Sequence, residues 1–149
     1  MPPISRSAAR KLVRKLGGNA RERKQALELI ASLCDLTGGL RDSRPSLAAA
    51  GAIDPLVQLL RVGIPAEVQS KAAEALGGLA DYDAAIIAAA GAIPPLVQLL
   101  GPGSTAELHE LAAAALMNLA ENADNQVTIT AAGAIPPQVK VPSLDPDMD

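Results

Sequence analysis

Apolar residues recur at helical spacing in two separate segments of this chain. One stripe comprises Val68, Ala72, Ala75, Leu76 and Leu79, and the other comprises Leu108, Ala112, Ala115, Leu116 and Leu119. A period near 3.6 residues predicts amphipathic helices that bury one face. Segments that combine β-branched residues with strict alternation are almost absent, which argues against strands. The pattern therefore predicts an all-α protein.

A short phrase is repeated along the chain and sets the scale of its organisation. The sequence Ala-Ala-Gly-Ala-Ile, followed by a proline-bearing pair, occurs at 49–55, 89–95 and 131–137, and its glycines are 40 and 42 residues apart. The stretch Pro-Leu-Val-Gln-Leu-Leu is also identical at 55–60 and 95–100. Self-similarity at this period indicates stacked helical units, because one unit cannot bury its own apolar stripe.

Local signals place the ends of three helices in each unit, two short and one longer. Gly51, Gly91 and Gly133 follow runs of alanine or threonine, as helix-terminating glycines do. N-caps for the first short helix are predicted at Ser43, Asp83 and Asn125. Capping boxes for the longer helix are predicted at Ser104–Glu107 and at Asn19–Glu22.

These signals divide the chain into three units and two flanking segments. We predict a basic extension at 1–7, a degenerate first unit at 8–50, a second at 51–90 and a third at 91–132. A fourth unit begins at 133 but is interrupted by Pro142 and Pro146, so 133–149 is predicted to be an aborted unit with an irregular tail.

Composition excludes several classes of function. Cys34 and His109 are the only cysteine and histidine, so the sequence offers neither a disulfide nor a convergent set of metal ligands. It also lacks a motif that would position a nucleophile, so catalysis, a small-molecule substrate and a cofactor are not expected. No apolar run approaches the ~20 residues of a membrane span. Cys34 aligns with Ala80 and Ala120, which predicts a small buried side chain.

Charge is distributed unevenly along the chain. Residues 1–24 carry eight basic side chains and one acid, whereas 25–149 carry five basic and fifteen acidic ones. Within this basic part of the chain, residues 1–17 fit a mitochondrial or plastid targeting helix, a surface-binding amphipathic helix or the second helix of the first unit. The match of Leu12, Val13 and Leu16 to the repeat favours the last interpretation. Nucleic-acid binding is disfavoured because Tyr82 is the only aromatic residue available for stacking.

The repeated unit resembles the armadillo repeat, which has three helices in about 42 residues. The resemblance rests on Gly91–Leu100 and on 125–137, and it is strong from residue 43 onward and weaker over 7–42. The phrase is similar to those of armadillo proteins from plants, algae and fungi, of which this chain would be a short or truncated member. The resemblance implies a right-handed superhelical α-solenoid whose third helices line a concave, peptide-binding groove.

The resemblance also implies which residues face that groove. Asn118 falls on the position of an asparagine that commonly clamps the peptide backbone, and Gly78 and Ser32 occupy this position in the other units. The positions of a groove tryptophan found in importin-α-like members hold Ala114, Glu74 and Glu28, which argues against a receptor for nuclear localisation signals. The remaining groove candidates are Glu107, Glu110, Leu111, Glu67, Ser70, Lys71, Arg21, Lys24 and Gln25.

We therefore predict a non-enzymatic interaction module that binds an extended peptide or a helix of a protein partner. One alternative is a structural fragment of a longer array that self-associates through an apolar end at 119–137. Another is an adaptor directed to an organelle or membrane surface by its basic N-terminal helix. A cytoplasmic or nuclear location is expected, with mitochondrial or plastid import as the alternative.

Overall fold

The computed structural model describes residues 4–34 and 43–133, and all regular structure in these ranges is helical. The longer helices are α1 (Arg6–Leu16), α2 (Ala20–Cys34), α5 (Ala66–Tyr82), α8 (Ala106–Leu119) and α9 (Ala123–Ala131). The short helices are α3 (Arg44–Ala49), α4 (Ile53–Gln58), α6 (Ala84–Ala89) and α7 (Ile93–Gln98). The predicted irregular segment 134–149 and the loop 35–42 lie outside the described residues.

Glycine ends α3, α6 and α9 where the repeated phrase predicts it. Gly51, Gly91 and Gly133 have φ values of 85°, 86° and 95°, in the left-handed region that side chains with a Cβ disfavour. The chain therefore reverses at the same point in each unit, and α4 and α7 begin two residues after their glycine.

Helix starts were predicted less well than helix ends. The box at Asn19 and Glu22 is confirmed, since each side chain accepts a hydrogen bond from the backbone N–H of the other residue. Asp83 caps α6 by accepting from the Ile86 N–H at 3.2 Å. The cap predicted at Ser104 is wrong, because Thr105 is the N-cap of α8 and accepts from the Leu108 N–H.

Two further caps need correction, and both side chains have other roles. Ser43 stands at the N-cap of α3 but makes no capping bond there, and its Oγ accepts from the Ile4 N–H at 3.0 Å. Asn125 lies inside α9, whose N-cap is Asn122. The buried Asn125 amide donates to the Leu119 and Ala84 carbonyls and so connects α9 to α8 and to the start of α6.

The helices α2, α5 and α8 stack side by side in chain order. α5 packs between α2 and α8, and the short helices α3, α4, α6 and α7 pack against these three. Leu76, Ala72 and Ala75 of the predicted stripe are fully buried, as are Ala112, Ala115 and Leu119 of its repeat in α8. One continuous apolar core therefore runs through all the units.

α1 belongs to this stack. It packs against α2 and α3 and buries Ala9 and Leu16, while its basic side chains stay exposed. Its position is that of the second helix of the first unit, although the boundaries of the units themselves stay a prediction. None of the helices within the described ranges has the length and hydropathy that crossing a bilayer would require.

Candidate functional site

The third helices of successive units, α2, α5 and α8, line an open groove. Its larger part is a depression of about 550 Å³ between α2 and α5, which also reaches the first turn of α8. Leu27 and Val68 form part of its floor, and charged side chains stand around them. The residues lining this α2–α5 depression are Ala20, Arg23, Lys24, Leu27, Glu28, Pro65, Ala66, Glu67, Val68, Ser70, Lys71, Glu74 and Glu107.

A second depression continues the groove toward the other end of the same helices. It measures about 390 Å³, and its walls are mostly small side chains of α2, α5 and α8. Glu74 lines both depressions, so they adjoin each other along α5. The residues lining this α5–α8 depression are Ala31, Cys34, Ala73, Glu74, Gly77, Gly78, Asp81, Leu111, Ala114, Ala115 and Asn118.

Asn118 is bound to the neighbouring unit as well as facing the groove. Its Nδ2 donates to the Gly77 carbonyl oxygen at 2.9 Å, across the junction between α8 and α5. The side chain is therefore half-buried and held in place. One N–H and the Oδ1 acceptor of its amide remain for a ligand, since an amide carries two donors and two lone pairs.

Gly78 occupies the asparagine position in α5 for a steric reason. A Cβ at this position would collide with the Cys34 carbonyl oxygen and would lie 2.7 Å from the Cys34 Cβ. The end of α2 therefore approaches the α5 backbone too closely for a side chain. Cys34 is buried in this contact, as predicted from its alignment with alanines.

Charges along the groove are partly paired with each other. Lys71 Nζ lies 3.5 Å from the Glu74 carboxylate one helical turn away, with both groups partly exposed. Pairing of this kind reduces the charge that each side chain presents to a ligand. Among the remaining charges of the α2–α5 depression, Arg23 and Lys24 of α2 are positive, and Glu28 of the same helix is negative. Glu67 and Glu107 across the depression are also negative.

Four of the predicted groove residues lie outside both depressions. Arg21, Gln25 and Ser32 are exposed on α2, and Glu110 is exposed on α8. Glu110 aligns with Ser70, which is buried and lines the α2–α5 depression, whereas Glu110 itself is exposed.

Arg23 and Asp81 line the groove but were not predicted to do so. Within the described ranges, the buried Arg23 Nε has no hydrogen-bond partner. Asp81 accepts from Arg44 Nη1 at 3.2 Å, and the same nitrogen donates to the Gly78 carbonyl oxygen at 2.9 Å. Arg23 aligns with Gln69, a polar side chain in an otherwise apolar stripe, which is a signal that the sequence did offer.

His109 and the acidic residues do not form a metal site in the part of the chain that is described. No three potential ligands of the types His, Cys, Asp and Glu lie close enough together there. His109 is exposed, and its Nε2 lies 3.2 Å from the Gly101 carbonyl oxygen.

Solved structures similar to this chain include designed and engineered proteins. One is described as a computationally designed armadillo repeat protein for modular peptide recognition, with a TM-score of 0.77 and 30% identity over 89% of this chain and 56% of that one. A designed armadillo repeat protein in complex with the peptide (KR)4 matches with a TM-score of 0.74 and 28% identity over 85% and 53%. An engineered protein matches with a TM-score of 0.74 and 30% identity over 85% and 51%.

These similarities show that the fold is an armadillo-repeat α-solenoid. This chain spans about half the length of the structures quoted. No protein-family model matches the sequence, and no curated protein matches it. The resemblance to repeats of plants, algae and fungi stays a prediction.

Proposed function

We propose that this chain is a non-enzymatic binding module whose groove receives an extended peptide. The observation that carries the proposal is the path along α2, α5 and α8, formed by two adjoining depressions that share Glu74. A groove that crosses several parallel helices suits an extended chain, because each unit offers a similar set of positions to successive peptide residues. The similar designed proteins, one made for peptide recognition and one bound to (KR)4, support this assignment.

The charges of the groove favour a peptide with basic side chains on the α8 side. Glu67 and Glu107 stand there with exposed carboxylates, and no basic side chain among the groove-lining residues is paired with them in the described structure. Arg23 and Lys24 on α2 offer donors to an acidic side chain or a terminal carboxylate of the peptide, although the exposed acid Glu28 stands on the same helix.

Asn118 is the residue best placed to contact the peptide backbone. Its bond to Gly77 fixes the amide, so the free donor and acceptor are already oriented before binding. A side chain held in this way loses less conformational entropy when it binds. Gly78 leaves the corresponding place on α5 without a side chain, so the peptide has a single amide partner there.

Peptide display against the intact chain tests the proposal, followed by anisotropy measurements with the enriched peptides and an alternating Lys-Arg peptide. The variant Glu67→Lys/Glu107→Lys is expected to bind roughly tenfold more weakly, because two exposed charge pairs contribute up to about 1 kcal/mol each. A matched control is Asp54→Lys/Asp124→Lys, which makes the same change in charge. All four acids lie in first helical turns, so the loss of dipole compensation is also matched.

Under the proposal, the groove variant lowers peptide affinity and the control variant leaves it unchanged. Weakening by the groove pair alone supports it, and equal weakening by both pairs indicates only non-specific attraction of a basic peptide. If display enriches no extended motif, the groove assignment is wrong.

The location of the protein and the role of residues 1–17 as a targeting segment stay predictions. Packing of α1 against α2 and α3 supports its assignment to the solenoid. If a fluorescent fusion of residues 1–17 reaches an organelle, this segment also contains a targeting signal.

A further inference from the structure

The last described unit exposes a face that its neighbour keeps buried. Gly77 of α5 is buried under α8, where a Cβ added to it would lie 3.5 Å from the Ala115 Cβ, whereas the aligned Met117 of α8 is 71% exposed. The same difference holds for the neighbouring positions on the third and second helices. We call the face formed by Val97, Leu100, Ala113, Met117 and Ala120 the end face; the aligned residues Val57, Leu60, Ala73, Gly77 and Ala80 are all buried.

The first described unit exposes apolar residues on its opposite side, which later units keep buried. Leu29 of α2 is 49% exposed, although the aligned Ala75 and Ala115 are fully buried against the preceding helix. Leu12 of α1 is partly buried, whereas the aligned leucines of α4 and α7 are fully buried. We call the surface around Leu12 and Leu29 the starting face.

The two faces have opposite charge around their apolar centres. Five basic side chains of α1 are exposed near the starting face: Arg6, Arg10, Lys11, Arg14 and Lys15. Three acidic side chains are exposed on or beside α8 and α9, near the end face: Glu110, Glu121 and Asp124. Within the described ranges, none of these eight side chains forms an ion pair with another of them.

We propose that copies of this chain associate head to tail, with the starting face of one copy on the end face of the next. Such a contact buries Leu29 and Met117 and places basic side chains opposite acidic ones, so apolar burial and electrostatic complementarity act together. Because the two faces differ, the contact is heterologous and leaves one free face of each kind, to which further copies add. The third helices of adjacent copies then extend one groove.

The junction between copies is wider than the junctions inside one copy. Inside the chain, Gly77 meets Ala115, both small, and the two helices are close. Between copies, the residues that meet at this position are Met117 and Leu29, which are larger. Helix pairs pack over a range of about 8–10 Å according to their contact side chains, and an unbranched methionine adapts to the space available.

Sedimentation velocity and light scattering on the 149-residue chain test the association, over a wide range of protein and salt concentrations. Mass is expected to rise with protein concentration through dimers to longer oligomers. It is expected to fall as salt is added, because salt screens the attraction between the exposed charges.

Single-face variants separate this arrangement from other kinds of self-association. Leu29→Lys and Met117→Lys each place a charge at the centre of one face, at exposed helical sites where lysine is a good helix former. Each variant alone is expected to be monomeric. Val62→Lys is the control, since Val62 is 89% exposed in the turn after α4 and belongs to neither face.

Mixing the two variants gives the decisive result. Leu29→Lys keeps an intact end face and Met117→Lys keeps an intact starting face, so an equimolar mixture is expected to form dimers and nothing larger. A mixture that stays monomeric while the unmodified chain associates overturns the head-to-tail arrangement. A single monomeric mass for the unmodified chain under all conditions overturns the association itself.

Discussion

Gln69 and His109 make the same contact in successive units. Gln69 Nε2 donates to the carbonyl oxygens of Leu60 and Arg61, at 3.2 Å and 2.9 Å, and His109 Nε2 lies 3.2 Å from the carbonyl oxygen of Gly101. Gly101 follows α7 at the position that Arg61 holds after α4. In both units, a polar side chain in the first turns of the third helix satisfies the carbonyl groups left open where the second helix ends.

Replacing Gln69 should therefore cost more than replacing His109. Gln69 is 9% exposed, and Gln69→Leu leaves the carbonyl oxygen of the buried Leu60 without this donor, at an expected cost of about 1–3 kcal/mol. The Arg61 carbonyl oxygen keeps the bond that it accepts from the Ile64 N–H. His109 is exposed, so water replaces the lost bond in His109→Leu, and the change should stay within about 0.5 kcal/mol. Urea unfolding followed by circular dichroism measures both values, and equal costs would show that the shared contact does not depend on burial.

Gly77 and Gly78 of α5 allow the steric effect of an added Cβ to be distinguished from the effect of helix propensity. Gly78→Ala forces a Cβ against Cys34, so we expect the free energy of unfolding to fall by about 1–3 kcal/mol as α2 is displaced. Gly77→Ala is the matched control, because its Cβ meets Ala115 at an ordinary 3.5 Å and alanine favours the helix by up to about 1 kcal/mol. Thermal unfolding should rank the chains as Gly77→Ala, then the unmodified chain, then Gly78→Ala. Any other order contradicts the close approach of α2.

Arg44 anchors α3 to the end of α5 through its planar guanidinium group. The side chain is buried, donates to the Gly78 carbonyl oxygen and to Asp81, and lies 5.6 Å from the centre of the Tyr82 ring. Arg44→Met should lower the free energy of unfolding by about 1.5–3 kcal/mol. Arg44→Lys should lower it by most of that amount, because lysine keeps the charge but lacks the fork of donors and the flat face of the guanidinium group. Arg10→Lys, at an exposed position of α1, is the control. If Arg44→Lys is as stable as the unmodified chain, the positive charge alone accounts for the contribution of Arg44 to stability.

The sequence predicted the features of the fold that every unit repeats. Leucine and alanine at helical spacing located the buried stripes, and the glycine phrase located the turns with positive φ. Both signals occur more than once in the sequence, so a single deviation does not hide them. The Asn19–Glu22 box was also predictable, because both partners lie within one turn of the same helix.

Contacts that cross from one unit to another could not be predicted in the same way. Asn125 was assigned to a cap because its offset from Gly133 matches that of Asp83 from Gly91, but α9 begins earlier and buries the side chain between helices. The glycine at position 78 gave no sign of the close approach of Cys34, since that distance depends on how α2 and α5 pack. Alignment of Arg23, Gln69 and His109 did carry a usable signal, because each offers a donor at the same place in its unit.

The leucine layers provide a test of the register of the whole stack. Leu76 is fully buried and Leu116 is 6% exposed, so truncating either to alanine removes contacts in the core and leaves a cavity. The expected loss is about 2–5 kcal/mol for Leu76→Ala. Met117→Ala, next to Leu116 but 71% exposed, should change stability by no more than about 0.5 kcal/mol. A near-zero cost for Leu76→Ala in urea unfolding would mean that the register is wrong.

Asn118 allows the structural and the proposed binding roles of one side chain to be compared. Asn118→Asp replaces the donating Nδ2 with an oxygen that faces the Gly77 carbonyl oxygen, so we expect a loss of about 1–3 kcal/mol in unfolding free energy. Gln126→Glu is the matched control, because Gln126 also donates from an amide to a backbone carbonyl, that of Ala120, but is exposed. Its cost should be smaller, since water solvates the carboxylate. Unfolding and peptide anisotropy are measured on both variants at a temperature where each is fully folded. If Asn118→Asp is destabilised but binds an enriched peptide as tightly as Gln126→Glu does, Asn118 holds the units together without contacting the ligand.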